Sequence, residues 1–102
     1  MNERQYQFEW DEDKAAANFL KHGVRFESAV TVFQDPRLLT IADVEHSSTG
    51  DERWFSVGMA STGAMLTIIY RWTEDANAEV AVRLISVRKA TRDEILGYGW
   101  EA

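Results

Sequence analysis

The sequence contains no cysteine, which excludes a disulfide framework and any zinc site built on thiolates. Proline occurs once, at Pro36. The longest apolar run, residues 64–70, is far too short to span a bilayer. The polar, acidic first residues are unlike a secretory signal. No glycine-rich phosphate loop, HExxH motif or calcium loop is present, so neither a metal nor a cofactor is expected. We therefore expect a soluble cytoplasmic protein without membrane attachment.

Length and charge limit the classes of function. A chain of 102 residues with 45% hydrophobic residues predicts a single domain over residues 1–102. The formal net charge is −6, and all of this excess lies in residues 1–52. Proteins bind nucleic acid largely by neutralising phosphates, so this chain is a poor general nucleic-acid binder. Any such role must depend on a local basic site or on a partner.

Hydrophobic periodicity predicts the first and last elements. Residues 6–10 alternate as in a short strand, and residues 11–23 and 25–36 carry apolar side chains at helical spacing. Thr91 followed by Glu94 matches a capping box, so a short helix should begin there.

Four β-rich runs lie between the helices, at residues 37–44, 53–60, 64–72 and 79–87. Short, turn-rich separators join them and favour an antiparallel meander. The sequence therefore predicts an α+β fold in the order β-α-α-β-β-β-β-α. Its mostly antiparallel sheet should pack against the two N-terminal helices.

A basic cluster lies where the last predicted strand gives way to the last helix. It contains Arg88, Lys89 and Arg92, with Arg83 just upstream. The first turn of a helix exposes unpaired N–H groups, so the cluster is a candidate phosphate site. Strict alternation places Arg83 and Arg88 on opposite faces of the strand, and either a bulge or the edge of the sheet would be needed to bring them together. The alternative is that these arginines pair with neighbouring acids such as Glu94.

A second pair of cations lies on the predicted hairpin. Arg53 opens the second β-rich run and Arg71 closes the third, so the two should be neighbours at the end away from the turn. Two adjacent cations need anions. These are either a phosphate or the nearby acids Glu45, Asp51 and Glu52.

Proton-transfer groups are few. Histidines can act as general acid and base in RNA cleavage near neutral pH, and only His22 and His46 are present. His22 lies at the end of the first predicted helix, where it also complements the helix dipole, and His46 lies in a loop. His22 and Tyr70 are the candidates for proton transfer. Three tryptophans offer either base-stacking surfaces or sheet packing: Trp54, Trp72 and Trp100.

Three segments resemble the BrnT toxin family. Residues 8–36 read FEWDEDKAAANFLKHGVRFESAVTVFQDP and are similar to the opening signature of that family. Residues 51–70 read DERWFSVGMASTGAMLTIIY and resemble its Glu-Arg hairpin with a central glycine. Residues 82–94 read VRLISVRKATRDE and resemble its Arg-x-Ile-Ser-Ala-Arg ending.

The resemblance implies a RelE-like ribonuclease toxin of a bacterial type II toxin–antitoxin pair. It implies an RNA substrate, translation inhibition and a BrnA-like antitoxin with a ribbon-helix-helix part. The complex would contact operator DNA only through the antitoxin, and a heterotetramer is compatible with such a pair. RelE-like ribonucleases generally act without a metal.

We therefore predict a metal-independent endoribonuclease in which basic groups stabilise the charge that develops on phosphorus. The candidate catalytic residues are Arg83, Arg88, His22, Arg53 and Glu94. The candidate phosphate-binding residues are Arg92, Lys89, Arg71 and Lys21. The rival hypothesis is a non-catalytic module whose basic cluster binds the antitoxin and which acts as a corepressor.

Overall fold

The computed structural model describes residues 6–48, 51–74, 77 and 79–99, and these form a mixed α+β fold with a five-stranded sheet. A short 3-10 helix occupies the separator between the first two runs of the meander, where the sequence predicted only a turn. The elements are β1 (Tyr6–Glu9), α1 (Glu12–His22), α2 (Phe26–Val32), β2 (Leu39–Ala42), the 3-10 helix (Val44–His46), β3 (Glu52–Met59), β4 (Met65–Glu74), β5 (Val80–Lys89) and α3 (Arg92–Tyr98).

The sheet has the strand order β1-β5-β4-β3-β2. Strands β2 to β5 form the predicted antiparallel meander, and β1 pairs with β5 in parallel. Strand β4 lies at the centre of the sheet, with two strands on each side, as its strongly apolar sequence predicts. Among the described residues, no helix is long and apolar enough to cross a membrane.

Local capping chemistry sets the helix ends. The Asp11 side chain accepts hydrogen bonds from the N–H groups of Asp13 and Lys14, and Gly23 closes α1 with a φ of 69°. Thr91 and Glu94 form both bonds of a capping box at the start of α3. These three predictions are confirmed. The predicted helix over residues 25–36 is shorter, because its last turn loosens into bonds from each N–H to the carbonyl three residues back.

The two faces of the sheet are covered differently. Helices α1 and α2 lie on one face, where Phe26 and Val32 pack with Ile68 and Leu84 in the core. Helix α3 lies on the other face and covers only one end of it. The rest of that second face is open, and it carries the candidate site.

A buried amide holds α1 against the edge of β5. The Asn18 Nδ2 group donates to the carbonyls of Val87 at 2.8 Å and Val24 at 3.2 Å. Its Oδ1 atom accepts from the Val87 N–H at 3.1 Å. Since β1 pairs only with residues 80–83, Asn18 satisfies a stretch of strand edge that β1 does not reach.

A β-bulge in β5 changes which face its arginines share. Tyr70 pairs with Leu84 and Ile69 pairs with Ser86, so Ile85 is an extra residue. Arg83 pairs with Arg71. Arg88 pairs with Thr67, which precedes Arg71 by four residues on β4. Both partners lie on one face of β4, so the bulge places Arg83 and Arg88 on the same face of the sheet.

Gly58 on β3 is packed too closely against neighbouring side chains to admit a larger residue without a shift. A Cβ atom there would lie 2.8 Å from Val32 Cγ1 and 3.0 Å from Leu38 Cδ1. We expect Gly58→Ala to lower the free energy of unfolding by about 2 kcal/mol, because the core must shift to admit the methyl group. Gly97→Ala is the control, since its Cβ would meet only Leu39 Cδ2 at 3.8 Å. Gly97 lies within α3, so the control should gain about 0.5–1 kcal/mol. Urea denaturation measures both, and equal effects would contradict the packing argument.

Candidate functional site

Three arginines lie side by side across the open face of the sheet. Arg53 of β3 pairs with Arg71 of β4, and Arg71 pairs with Arg83 of β5. Neighbouring strands are about 4.8 Å apart, so the three Cα atoms span about 10 Å. We call these three residues the arginine row. The predicted proximity of Arg53 and Arg71 is confirmed, and the structure adds Arg83 to the pair.

Each member of the arginine row has a carboxylate beside it. The Arg53 Nε atom lies 3.5 Å from Asp43 Oδ2, and Arg71 Nη1 lies 3.2 Å from Asp51 Oδ2. Arg83 Nη1 lies 3.7 Å from a carboxylate oxygen of Glu9. Like charges on directly opposite strand positions repel, so these acids offset the cost of assembling the row.

The ion pairs of the row are weak enough to exchange. The side chains of Arg71 and Arg83 are 48% and 47% exposed, and exposed ion pairs typically stabilise by only about 0–1 kcal/mol. A phosphate offers an arginine two charge-assisted hydrogen bonds in fork geometry. An incoming phosphate therefore competes effectively for these two guanidinium groups.

A histidine–aspartate pair lies at the β3 end of the row. The His46 Nδ1 atom is 3.0 Å from both carboxylate oxygens of Asp43. Asp43 is itself buried and is also the ion-pair partner of Arg53. The 3-10 helix creates this arrangement, because it returns the chain over three residues and places His46 above Asp43. With Nδ1 bound to Asp43, Nε2 is the ring nitrogen left for other contacts, and the side chain of His46 is 60% exposed.

Backbone contacts fix the position of the pair. The Asp43 N–H donates to the Arg53 carbonyl at 2.8 Å. The Ser47 hydroxyl donates to the Asp43 carbonyl at 2.6 Å and accepts from the Arg53 N–H at 2.9 Å. These hydrogen bonds connect the pair directly to Arg53, the first arginine of the row.

Arg88 has a structural partner instead of an open surface. Its Nη1 and Nη2 atoms donate to the two carboxylate oxygens of Glu94 at 2.6 and 2.9 Å. Glu94 also accepts from the Thr67 hydroxyl and the Thr91 N–H. The hydrogen bonds from Arg88 are the main cause that lowers the pKa of Glu94 to about 2, and the same contact raises the pKa of Arg88.

The predicted phosphate cluster at the start of α3 is therefore divided. The β4 partners of Arg83 and Arg88 are four residues apart, so the two arginines are separated by about 13 Å along the strand direction. The capping box occupies N–H groups that were expected to meet an anion. Lys89 and Arg92 are exposed nearby. The structure brings Arg83 to Arg53 and Arg71, and it does not bring it to Arg88.

Other sequence candidates lie on the helix-covered side. Lys21 and His22 are in the last turn of α1, away from the arginine row. The Tyr70 hydroxyl is buried on the core face and lies 2.6 Å from Ser56 Oγ. Burial raises the pKa of Tyr70, so this hydroxyl holds its proton more tightly. The structure therefore does not bring His22 or Tyr70 to the arginine row.

The sequence analysis does not predict His46 as a proton-transfer residue, whereas the structure places it against Asp43 beside the arginine row. Its spacing from Asp43 is three residues, which one turn of helix converts into contact. That spacing was visible in the sequence, but the turn lies in a segment interpreted only as a loop. Trp100 lies outside the described residues. In the described part of the chain, no three or more His, Asp or Glu side chains form a group that could hold a metal ion.

Comparison with known proteins identifies the family of this chain. A family model described as "Ribonuclease toxin, BrnT, of type II toxin-antitoxin system" matches residues 10–94, which include the whole arginine row and the His46–Asp43 pair. No curated protein matches the chain significantly. Because the model covers most of the sequence, the chain belongs to the BrnT family of ribonuclease toxins from type II toxin–antitoxin systems.

Proposed function

We propose that this protein cleaves RNA without a metal, at the open face of the sheet, with the arginine row holding the scissile phosphate. The observation that carries the proposal is the register of three arginines on adjacent strands, ending at an oriented histidine. Arg88 and Glu94 then stabilise the fold beside the site and do not contact the RNA.

The arginine row supplies the electrostatic part of catalysis. As the 2′-oxygen attacks phosphorus, negative charge grows on the phosphate oxygens, and fixed guanidinium donors stabilise that charge more than they stabilise the substrate. Arg71 and Arg83 are the accessible members. Arg53 is 27% exposed and contributes mainly by its charge.

The His46–Asp43 pair supplies proton transfer. The reaction forms a bond from the 2′-oxygen to phosphorus and breaks the bond from phosphorus to the 5′-oxygen. The 2′-hydroxyl loses a proton and the 5′-oxygen gains one, so the products are a 2′,3′-cyclic phosphate and a free 5′-hydroxyl. His46 Nε2 exchanges one of these protons, while Asp43 positions the ring through the contact with Nδ1.

The same proposal covers the partner. Membership of the family implies an antitoxin. We propose a BrnA-like antitoxin, a RelE-like toxin fold and a heterotetrameric complex that contacts DNA through the antitoxin. Two helices packed on one face of an antiparallel meander support that fold. Cleavage of mRNA then accounts for inhibition of translation.

The test is incubation of the purified protein with total RNA in EDTA. We expect cleavage that leaves cyclic phosphate ends. Intact RNA at high protein concentration would contradict the proposal and favour the non-catalytic module, which the carboxylate beside each arginine of the row also supports. Expression without antitoxin should arrest growth.

Replacement of His46 should slow RNA cleavage. We expect His46→Ala to lower kcat for RNA cleavage by about 100-fold, since proton transfer by a positioned side chain typically contributes 10²–10⁴-fold. Asp43→Asn keeps a side chain of the same size beside the ring but removes the charged acceptor of Nδ1, so we expect a smaller loss of kcat. His22→Ala is the matched control and should retain the wild-type rate. Equal losses in the two histidine variants would remove His46 from the mechanism.

A further inference from the structure

A cavity lies on the face of the sheet that α1 and α2 partly cover. It is lined mainly by aromatic residues and has no part in the proposed cleavage site. Its volume is about 360 Å³. Its lining includes Phe33, the residue that directly follows α2. Its walls are Tyr6, Phe33, Leu38, Thr40, Trp54, Tyr70 and Trp72.

The walls of this cavity are preformed. Tyr6 packs edge-on against Trp72 with ring centroids 5.6 Å apart, and Phe33 packs edge-on against Tyr70 at 5.0 Å. Tyr6 is 48% exposed, which is high for a large aromatic side chain on the core face of a sheet.

The Thr40 and Tyr70 hydroxyl groups of the cavity walls are already hydrogen-bonded to Ser56 behind them, which favours an apolar occupant. The Ser56 hydroxyl lies 2.6 Å from the Tyr70 hydroxyl and 3.1 Å from the Thr40 hydroxyl. These polar groups satisfy one another, so an inserted side chain need not supply hydrogen bonds. A bulky aliphatic or aromatic side chain fits this chemistry.

Carboxylates flank the cavity. Glu52 precedes Trp54 by two residues and Glu74 follows Trp72 by two residues, so alternation places both acids on the face of the cavity. Glu52 also accepts a hydrogen bond from the Trp54 indole N–H. This acidic border repels the phosphates of RNA and attracts cations. Cations can in addition rest against the aromatic walls.

We propose that this cavity is a docking site for the antitoxin, which inserts one bulky apolar side chain from a lysine- or arginine-rich segment. Membership of the family implies an antitoxin as the partner. The acidic border and the net charge of −6 indicate that the segment of the antitoxin that binds here is basic. Because Thr40 and Ile41 are neighbours on β2, their side chains point to opposite faces. The antitoxin anchor thus sits on the opposite face of the sheet from the arginine row. The proposal does not depend on cleavage, since it concerns binding alone.

Two matched variants on β2 test the proposal. Thr40→Trp fills the cavity, whereas Ile41→Trp adds the same bulk on the open face. The probe is the cognate antitoxin polypeptide, titrated by calorimetry in low salt. We expect Thr40→Trp to raise the Kd for the antitoxin by about 30-fold, the size of effect that follows the loss of a central anchor residue. Ile41→Trp should change this Kd by less than about threefold. The opposite ranking, or equal affinities, would overturn the proposal.

A charge variant tests the same proposal independently of whether Thr40→Trp folds. Glu52→Lys should weaken antitoxin binding by about tenfold in low salt, and added salt should shrink the difference. Glu27→Lys, on α2, makes the same charge change and should have little effect. Unchanged binding by Glu52→Lys would contradict the proposal. RNA cleavage by Thr40→Trp without antitoxin should match wild type, and a selective loss of cleavage would show instead that the cavity binds RNA.

Discussion

Replacing Arg71 and Arg83 together with glutamine should lower kcat/KM for RNA cleavage by at least about 100-fold. Removal of a single preorganised donor from an oxyanion-type site typically costs 10²–10³-fold, and these are the two most exposed donors of the arginine row. Glutamine keeps a polar side chain on each strand, so the sheet should remain folded. The loss should appear mainly in kcat, since the row acts on charge that develops in the transition state.

The matched control for this double variant removes two charges from the helix side. Lys14 is exposed on α1 and Arg25 is exposed at the start of α2. Lys14→Gln with Arg25→Gln therefore changes net charge equally without touching the open face. We expect this control to cleave RNA within about threefold of wild type. Equal losses in both double variants would mean that general charge, and not the row, governs activity.

Replacement of Glu94 should destabilise the protein strongly at neutral pH and much less in acid. Binding by Arg88 is the largest cause that holds the Glu94 pKa near 2, against an ordinary value of 4.5. At about 1.4 kcal/mol per pH unit, this depression corresponds to a stabilisation of about 3 kcal/mol. The folded pKa is the lower one, so the contribution is complete above pH 4.5 and is lost as the pH falls toward 2.

The measurement is urea denaturation of wild type and Glu94→Gln between pH 2 and pH 7. The difference in unfolding free energy should approach about 3 kcal/mol at pH 7 and shrink below pH 4.5. Asp93→Asn is the control, because Asp93 is an exposed acid in the same helical turn. A pH-independent difference for Glu94→Gln would show that the carboxylate is not stabilised by Arg88 as described.

Local sequence chemistry predicted both ends of α1, the start of α3 and the antiparallel meander of β2 to β5. Asp11, Gly23 and the Thr91–Glu94 box act within a few residues, so their patterns are sufficient to locate them. Short separators between β-rich runs imposed the meander. The proximity of Arg53 and Arg71 followed from the hairpin, because turn length fixes register.

Long-range register explains what the sequence could not reveal. Arg83 joins the row only because β4 and β5 pair at Arg71, and its relation to Arg88 depends on the extra residue Ile85. A bulge shifts one strand by a single residue, and no residue pattern in this stretch requires it. The contact of His46 with Asp43 likewise needs a turn of 3-10 helix inside an apparent loop.

The residues of the sheet that contact RNA can be identified directly. The measurement is an NMR titration of protein labelled with ¹⁵N-arginine, using a 2′-O-methyl oligonucleotide that cannot be cleaved. We expect the Nε–H resonances of Arg71 and Arg83 to shift with a common Kd, while that of Arg88 stays fixed by Glu94. Shifts confined to Arg88 and Arg92 would place the phosphate at the start of α3 and contradict the assignment of the site to the arginine row.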